Sequence, residues 1–296
     1  MDKTNTGLIS GITAYALWGL FPLYFVLFAR SGAFEVVAYR ALWSLVFCLL
    51  LLAVTRSLGQ LRAILRDRRS ALVLGVAGLL IAINWTTYVY GVATGRTLDA
   101  ALGYFINPLA VTLLGVLVLG ERLRRAQWIA LAFGAAAVVV LVVAYGEFPF
   151  IAITLALSFG TYSLVKKLAG RSVAPTPGLA METAAVAPIA LGYLIYLGVT
   201  AGGTVDLLSG YGLLMATTGV VTAIPLILFA DAARKVSLVT IGMLQYLAPI
   251  GQFLVGWLAF GEPMPAARWA GFALVWVAVL IFAVDAVLLA RRRRLV

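Results

Sequence analysis

The 296-residue sequence contains no histidine, one cysteine and only eleven acidic residues. Without histidine or a CxxC pair it offers no plausible zinc site, so no metal is expected. The lone thiol, Cys48, lies in an apolar run and cannot form an intramolecular disulfide, which excludes a disulfide-stapled scaffold. There is no phosphate-cradling GxxxxGK(S/T) loop, no HExxH and no GxSxG. ATP is therefore not a direct energy source within this chain, and no cofactor is expected. The few carboxylates are scattered among connectors and span ends, without the clustered acid, base or nucleophile that a membrane-embedded enzyme needs.

What the chain has instead is apolar length. Apolar residues make up 64% of the sequence against 11% charged, and the mean hydropathy is +1.07. A soluble fold of this size could not hide that much apolar surface, and a disordered chain would not carry it. Apolar spans are predicted at about 7–29, 33–54, 70–91, 98–119, 127–144, 148–165, 178–198, 210–230, 236–260 and 267–289. The net charge of +11 would suggest nucleic acid in a soluble protein. Here it follows membrane topology. With the N-terminus in the cytoplasm, only Arg30, Arg96 and Arg268 fall outside and only Arg40 falls within a span; the other 18 of the 22 basic residues lie inside. The positive-inside rule thus selects ten spans with both termini cytoplasmic, and no nucleic-acid partner is expected. The first span lacks a small-residue cleavage pattern and reads as a retained helix.

An internal repeat organises the spans. Shifting the chain by 141 residues lays LGYFINPLAVTLLGVLVLGERLRRAQW, which begins at 102, over MLQYLAPIGQFLVGWLAFGEPMPAARW, which begins at 243, without a gap. Pro108 meets Pro249, Gly115 meets Gly256, Gly120 and Glu121 meet Gly261 and Glu262, and Trp128 meets Trp269. The same shift pairs Gly19 with Gly160 and Gly78 with Gly219. The expected fold is an all-α membrane protein of ten transmembrane helices, in which 1–145 and 146–296 form two five-helix repeats around a central cavity. An odd number of crossings per repeat inverts one half relative to the other. The turn charges agree: Arg122, Arg124 and Arg125 follow the first Gly-Glu, whereas Pro263, Met264, Pro265 and Ala266 follow the second.

Trp18-Gly19, GYFINPL at 103–109, GER at 120–122, QYLAP at 245–249 and GEP at 261–263 resemble the EamA family of the drug/metabolite transporter superfamily. The resemblance runs along essentially the whole chain. It implies a multi-pass transporter of the bacterial inner membrane with a cavity between its halves, often an exporter of amino acids or related metabolites.

Polar and interruptive residues at mid-span depth should face a cavity or a neighbouring helix. In the fourth span Tyr104, Asn107 and Pro108 share a face, and Pro108 frees a backbone carbonyl. Gln245, Tyr246 and Pro249 form the corresponding place in the ninth. The third span offers Asn84, Trp85 and Tyr88, the eighth Pro225, the first Tyr15, Trp18 and Pro22, and the sixth Phe159 and Tyr162 beside Ser158 and Thr161. Together they compose an aromatic lining with amide and hydroxyl groups, suited to amphipathic solutes. The structural alternatives are prolines that only bend helices and aromatics that form lipid-facing belts; Trp128 and Trp269 read as belt anchors. Arg40, about 10 Å below the external end of its span by the helical rise, either snorkels outward or pairs with Glu35, or else attracts a substrate carboxylate. Glu182 either pairs with a basic loop residue or receives a cationic group. Asp99, Asp231 and Asp285 lie near span ends and are expected to stay hydrated. No carboxylate falls clearly at mid-membrane, which weakens an obligatory proton antiport.

These residues describe a secondary transporter, an exporter of small zwitterionic or amphipathic metabolites such as amino acids, whose partners are the small-molecule substrate and the lipid bilayer. The choice of amino acids leans on the resemblance; the residues alone equally admit amphipathic drugs. A scaffold without a penetrating polar cavity is the remaining alternative. A monomer is compatible with the sequence, which leaves the oligomeric state open.

Overall fold

The computed structural model describes residues 3–292 apart from 121, 147, 170–172, 201–204, 207 and 237. The described residues form helices joined by short connections, with no strand among them. Helices α1 (Lys3–Phe25), α2 (Ala33–Val54), α3 (Leu58–Arg66), α4 (Arg68–Ala93), α5 (Thr97–Leu119) and α6 (Arg125–Tyr145) are followed by α7 (Phe150–Ala169), α8 (Pro175–Thr200), α9 (Gly210–Lys235), α10 (Leu238–Leu244), α11 (Leu247–Leu254) and α12 (Ala266–Arg292). Eight of the helices are long and apolar enough to cross a bilayer, and Phe150–Lys166 and Leu247–Ala259 are shorter apolar stretches. Large aliphatic side chains such as Val54, Leu117, Val143 and Val199 face outward, 71–82% exposed. Such an apolar exterior requires lipid around it.

Each expected span is helical, with three local departures. The short amphipathic α3, which no apolar run marks, lies between the second and third spans. It buries Ile64 while Arg62 and Arg66 stay exposed. The ninth span is a composite of α10, a break at Gln245–Tyr246, α11 and a π-helical turn at Val255–Ala259. The prolines expected to interrupt helices mostly do not. Pro22, Pro108 and Pro225 lie inside α1, α5 and α9, which continue past them. Pro249 lies in the first turn of α11, where the backbone donor it lacks would have had no intrahelical partner anyway. One missing hydrogen bond within a long packed helix is tolerated.

The helices pack in a pattern with an internal correspondence. The principal contacts are α6 with α12, α2 with α8, α5 with α7, α1 with α9, α4 with α7, α2 with α9, α1 with α11, α4 with α8 and α5 with α11. Matching α1, α2, α4, α5 and α6 to α7, α8, α9, α11 and α12 in turn maps this set of contacts onto itself. Individual crossings follow the 141-residue shift. A Cβ on Gly251 would lie 2.8 Å from Gly19 Cα, and the shifted pair is Ala110 and Gly160, where a Cβ on Gly160 would lie 3.7 Å from the Ala110 carbonyl carbon. A Cβ on Gly11 would lie 2.8 Å from the Leu244 side chain, and the shifted pair is Ala152 and Gly103, where a Cβ on Gly103 would lie 2.7 Å from the Ala152 carbonyl oxygen. Gly120 and Gly261, aligned by the same shift, both adopt φ of +65°. A side chain is strained in that left-handed region, so both turns call for glycine.

Polar groups at the helix ends are paired more fully than expected. Glu262 accepts from the backbone N–H of Thr97 at 2.5 Å and of Leu98 at 2.9 Å, which ties the turn before α12 to the start of α5. Its shift partner Glu121 lies outside the described residues. Burial pushes the Glu262 carboxyl above the usual carboxylate range, and the Leu98 and Thr97 donors pull it back only in part. The three aspartates expected to stay hydrated are instead paired. Asp99 meets Arg96 at 2.6 Å and Arg268 at 2.7 Å, Asp231 meets Ser10 and Lys235, and Asp285 meets Arg124.

Candidate substrate site

Arg40 reaches the centre of the bundle from α2. It is 3% exposed, so it does not snorkel, and it forms no ion pair with Glu35. Glu35 lies five residues earlier, about 140° around the helix, and hydrogen-bonds with Ser31. The Arg40 Nε donates to Thr222 Oγ1 on α9 at 2.8 Å, and the Thr222 hydroxyl in turn donates to the Thr218 carbonyl at 2.7 Å. The guanidinium carbon stands 4.1 Å from the Trp85 ring centroid and 4.9 Å from that of Phe25. The rings therefore supply the negative faces around this cation. Neither terminal nitrogen of Arg40 has a hydrogen-bond partner among the described residues. Two neighbouring polar atoms are also buried without partners: the Tyr88 hydroxyl, and Ser44 Oγ one turn along α2 from Arg40.

Next to the arginine, three helices meet at Asn84 on α4. Its Nδ2 donates to the Leu155 carbonyl at 3.1 Å and to Ser158 Oγ at 3.0 Å on α7, and its Oδ1 accepts from the Tyr104 hydroxyl on α5 at 3.0 Å. The amide thus uses both donors and one acceptor site, all across helix boundaries. A run of rings joins this network to α1 and to the far half of α7. Phe25 and Tyr88 have centroids 5.9 Å apart, Tyr88 and Tyr104 6.0 Å, Tyr104 and Phe159 6.4 Å, and Phe159 and Tyr162 5.7 Å. Residues expected to line an open cavity are therefore packed ring against ring here, with Tyr104, Phe159 and Tyr162 half-buried.

The far end of the run carries an anion. Tyr162 donates to Glu182 Oε2 at 3.1 Å, and Lys166 forms an ion pair with the other carboxylate oxygen. Glu182 is 1% exposed, while the Lys166 side chain is 34% exposed. Lys166, expected in a loop, belongs to the last turns of α7. On α4, Gly78 abuts the backbone of Glu182, where no side chain could fit, so α4 and α8 are in direct backbone contact at the level of the ion pair.

Eight of the twelve expected binding residues gather in one region: Trp18, Arg40, Asn84, Trp85, Tyr88, Tyr104, Phe159 and Tyr162. Tyr15 joins Trp18 and Phe229 in an aromatic group between α1 and α9. The other three lie apart from Arg40. Asn107 is buried in α5 with Oδ1 unpartnered. Tyr246 packs in a second core with Phe105, Phe253 and Phe272, and Gln245 is half-buried beside it at the helix break. Gln252, two turns further on, is the glutamine that reaches α1: its Nε2 donates to the Trp18 carbonyl at 3.1 Å and its Oε1 is unpartnered. Trp128 is exposed as a belt residue would be, whereas Trp269 packs edge-to-face with Trp257, Phe253 and Trp276. Sequence reasoning also missed Thr222, Ser44 and Lys166 as neighbours of the site. The first two were readable as hydroxyls at mid-span depth.

An apolar exterior around a buried polar and aromatic layer marks a multi-pass membrane protein built to receive a solute. The EamA-like transporter family matches residues 5–143. The chain is 46% identical to Protein RarD of Streptomyces exfoliatus, over 99% of this chain and 93% of that one. It is 42% identical to an uncharacterized transporter of Pseudomonas aeruginosa, over 95% and 94%. A solved crystal structure shares the fold with a TM-score of 0.62 at 22% identity, covering 97% of each chain. The chain belongs to the EamA-like transporters of the drug/metabolite transporter superfamily and is RarD-like. It is a membrane transporter, with a small molecule as its substrate and the bilayer as its surroundings.

Proposed function

We propose that this protein is a secondary transporter that exports small zwitterionic or amphipathic metabolites, amino acids foremost, across the bacterial inner membrane with both of its own termini cytoplasmic. Its ten crossings form two inverted halves, 1–145 and 146–296, which rock about the Arg40–Asn84 layer to give alternating access. The observation that carries this reading is the recurrence of helix crossings under the 141-residue shift: Gly19 on Gly251 against Gly160 on Ala110, and Gly11 on Leu244 against Gly103 on Ala152. Crossings that recur in equivalent pairs between the two halves give their seam equivalent alternative arrangements, as alternating access requires.

The chemistry of the layer points to the substrate. Arg40 offers a carboxylate two free nitrogens, the unpartnered Tyr88 and Ser44 hydroxyls add hydrogen bonds, and the rings receive an apolar side chain. Amphipathic drugs without a carboxylate would use the rings but leave Arg40 unanswered, so they are the second choice. Purified protein in liposomes tests the reading. Saturable movement of labelled amino acids into vesicles preloaded with unlabelled amino acids supports it, and preloaded vesicles that stay inert although they hold folded, inserted protein refute it. Tags after Gly120 and after Gly261 should appear on opposite faces of the bilayer; the same face for both would refute the inverted halves.

A further inference from the structure

We infer that the carrier is an exchanger, one that returns across the membrane readily only when an anionic group occupies Arg40. The inference rests on the transport reading above and concerns the empty carrier. Among the described residues the buried cation at the core of the bundle has no carboxylate against it. Glu182 is matched by Lys166, Asp99 by Arg96 and Arg268, and Glu35 is turned away from Arg40 and bonded with Ser31. Arg40 remains, 3% exposed, with Thr222 Oγ1, Trp85 and Phe25 as its surroundings and no carboxylate in contact.

A cation held in a low-dielectric interior without a counter-ion opposes any step that keeps it away from water. Water can reach Arg40 while the site is open to either side. In an occluded arrangement, with Trp85 and Phe25 against it, the charge must be answered from within. A bound carboxylate does so with two charge-assisted hydrogen bonds to the terminal nitrogens. The loaded carrier therefore passes through the closed state more easily than the empty one. Net movement of substrate, which needs an empty return, is slow, and exchange of one carboxylate for another is fast.

The wild-type protein in liposomes preloaded with tritiated phenylalanine provides the test. Efflux into buffer without substrate should be at least tenfold slower than efflux into buffer containing unlabelled phenylalanine. Outside, N-acetylphenylalanine, which keeps the carboxylate and loses the amine charge, should accelerate efflux. Phenylalaninol, which keeps the amine and has no carboxylate, should not. Equal efflux with and without an external carboxylate, or equal acceleration by phenylalaninol, overturns the inference while leaving transport intact. Absence of efflux under every condition overturns the transport reading for aromatic amino acids. Arg40→Met, verified as folded by its elution as a single species, should lose the carboxylate-dependent acceleration. Its retention would show that the anion is held elsewhere.

Discussion

Asn84→Leu removes the junction of α4, α5 and α7 while keeping the branched shape of the side chain. Three hydrogen bonds go with it: two donated by the amide to Leu155 and Ser158, and one accepted from Tyr104. Interhelical hydrogen bonds in membrane proteins average about 0.6 kcal/mol, so three amount to about 2 kcal/mol. Ser158 keeps its own bond to the Leu155 carbonyl at 3.3 Å and loses little. The Tyr104 hydroxyl is left without a partner, which places most of the penalty on that pair. Unfolding by SDS in mixed micelles measures the total. A cycle with Tyr104→Phe isolates the pair, with an expected coupling of roughly 0.6 kcal/mol and no more than about 1.7. A coupling indistinguishable from zero, with both single variants folded, would mean that the amide does not bind Tyr104, and the layer as described would fall.

The Lys166–Glu182 pair should respond asymmetrically. Lys166→Met strands a carboxylate that is 1% exposed and should cost about 3 kcal/mol. Glu182→Gln leaves a lysine that can reach the interface and should cost under about 1 kcal/mol, with the double variant close to it; equal penalties in SDS unfolding would contradict the burial described. Because burial raises the Glu262 carboxyl, its contribution to stability is full below the ordinary carboxylate range and is lost as pH rises through the raised value. Thermal midpoints measured from pH 4 upward should show that decline in the wild type and not in Glu262→Gln. Gly251→Val should disrupt assembly at the α1 crossing, whereas Gly192→Val, which meets nothing within 4 Å, should not; equal yields of monodisperse protein would refute the close approach.

The helical spans were legible because about 20 apolar residues in a row leave the chain little choice in lipid. Their ends were less so: α7 and α9 run on to Ala169 and Lys235, since backbone hydrogen bonding continues after apolarity stops. The α3 helix escaped notice because its arginines lower any averaged hydropathy, although Leu58, Leu61, Ile64 and Leu65 recur at helical spacing. The residue types of the site were legible; their partners were not. For Arg40 the sequence offers outward snorkelling, Glu35 five residues away or a substrate carboxylate, whereas its hydrogen-bond partner, Thr222, lies 182 residues away. Gln245, one turn before Pro249, is the expected lining residue, yet it is Gln252 that reaches α1. Contacts between spans depend on how each helix is rotated about its axis, and hydropathy says little about that.

At Gly19 and Gly251 two helices touch through bare main chain, with no side chain interlocked across the contact. One rod can pivot over the other there without any rotamer having to move aside. Gly160 gives the other half a similar bearing on α5, a little wider because Ala110 stands where the first has Gly251. The two hinges are thus alike in position and unlike in stiffness, and the two directions of swing should differ in speed.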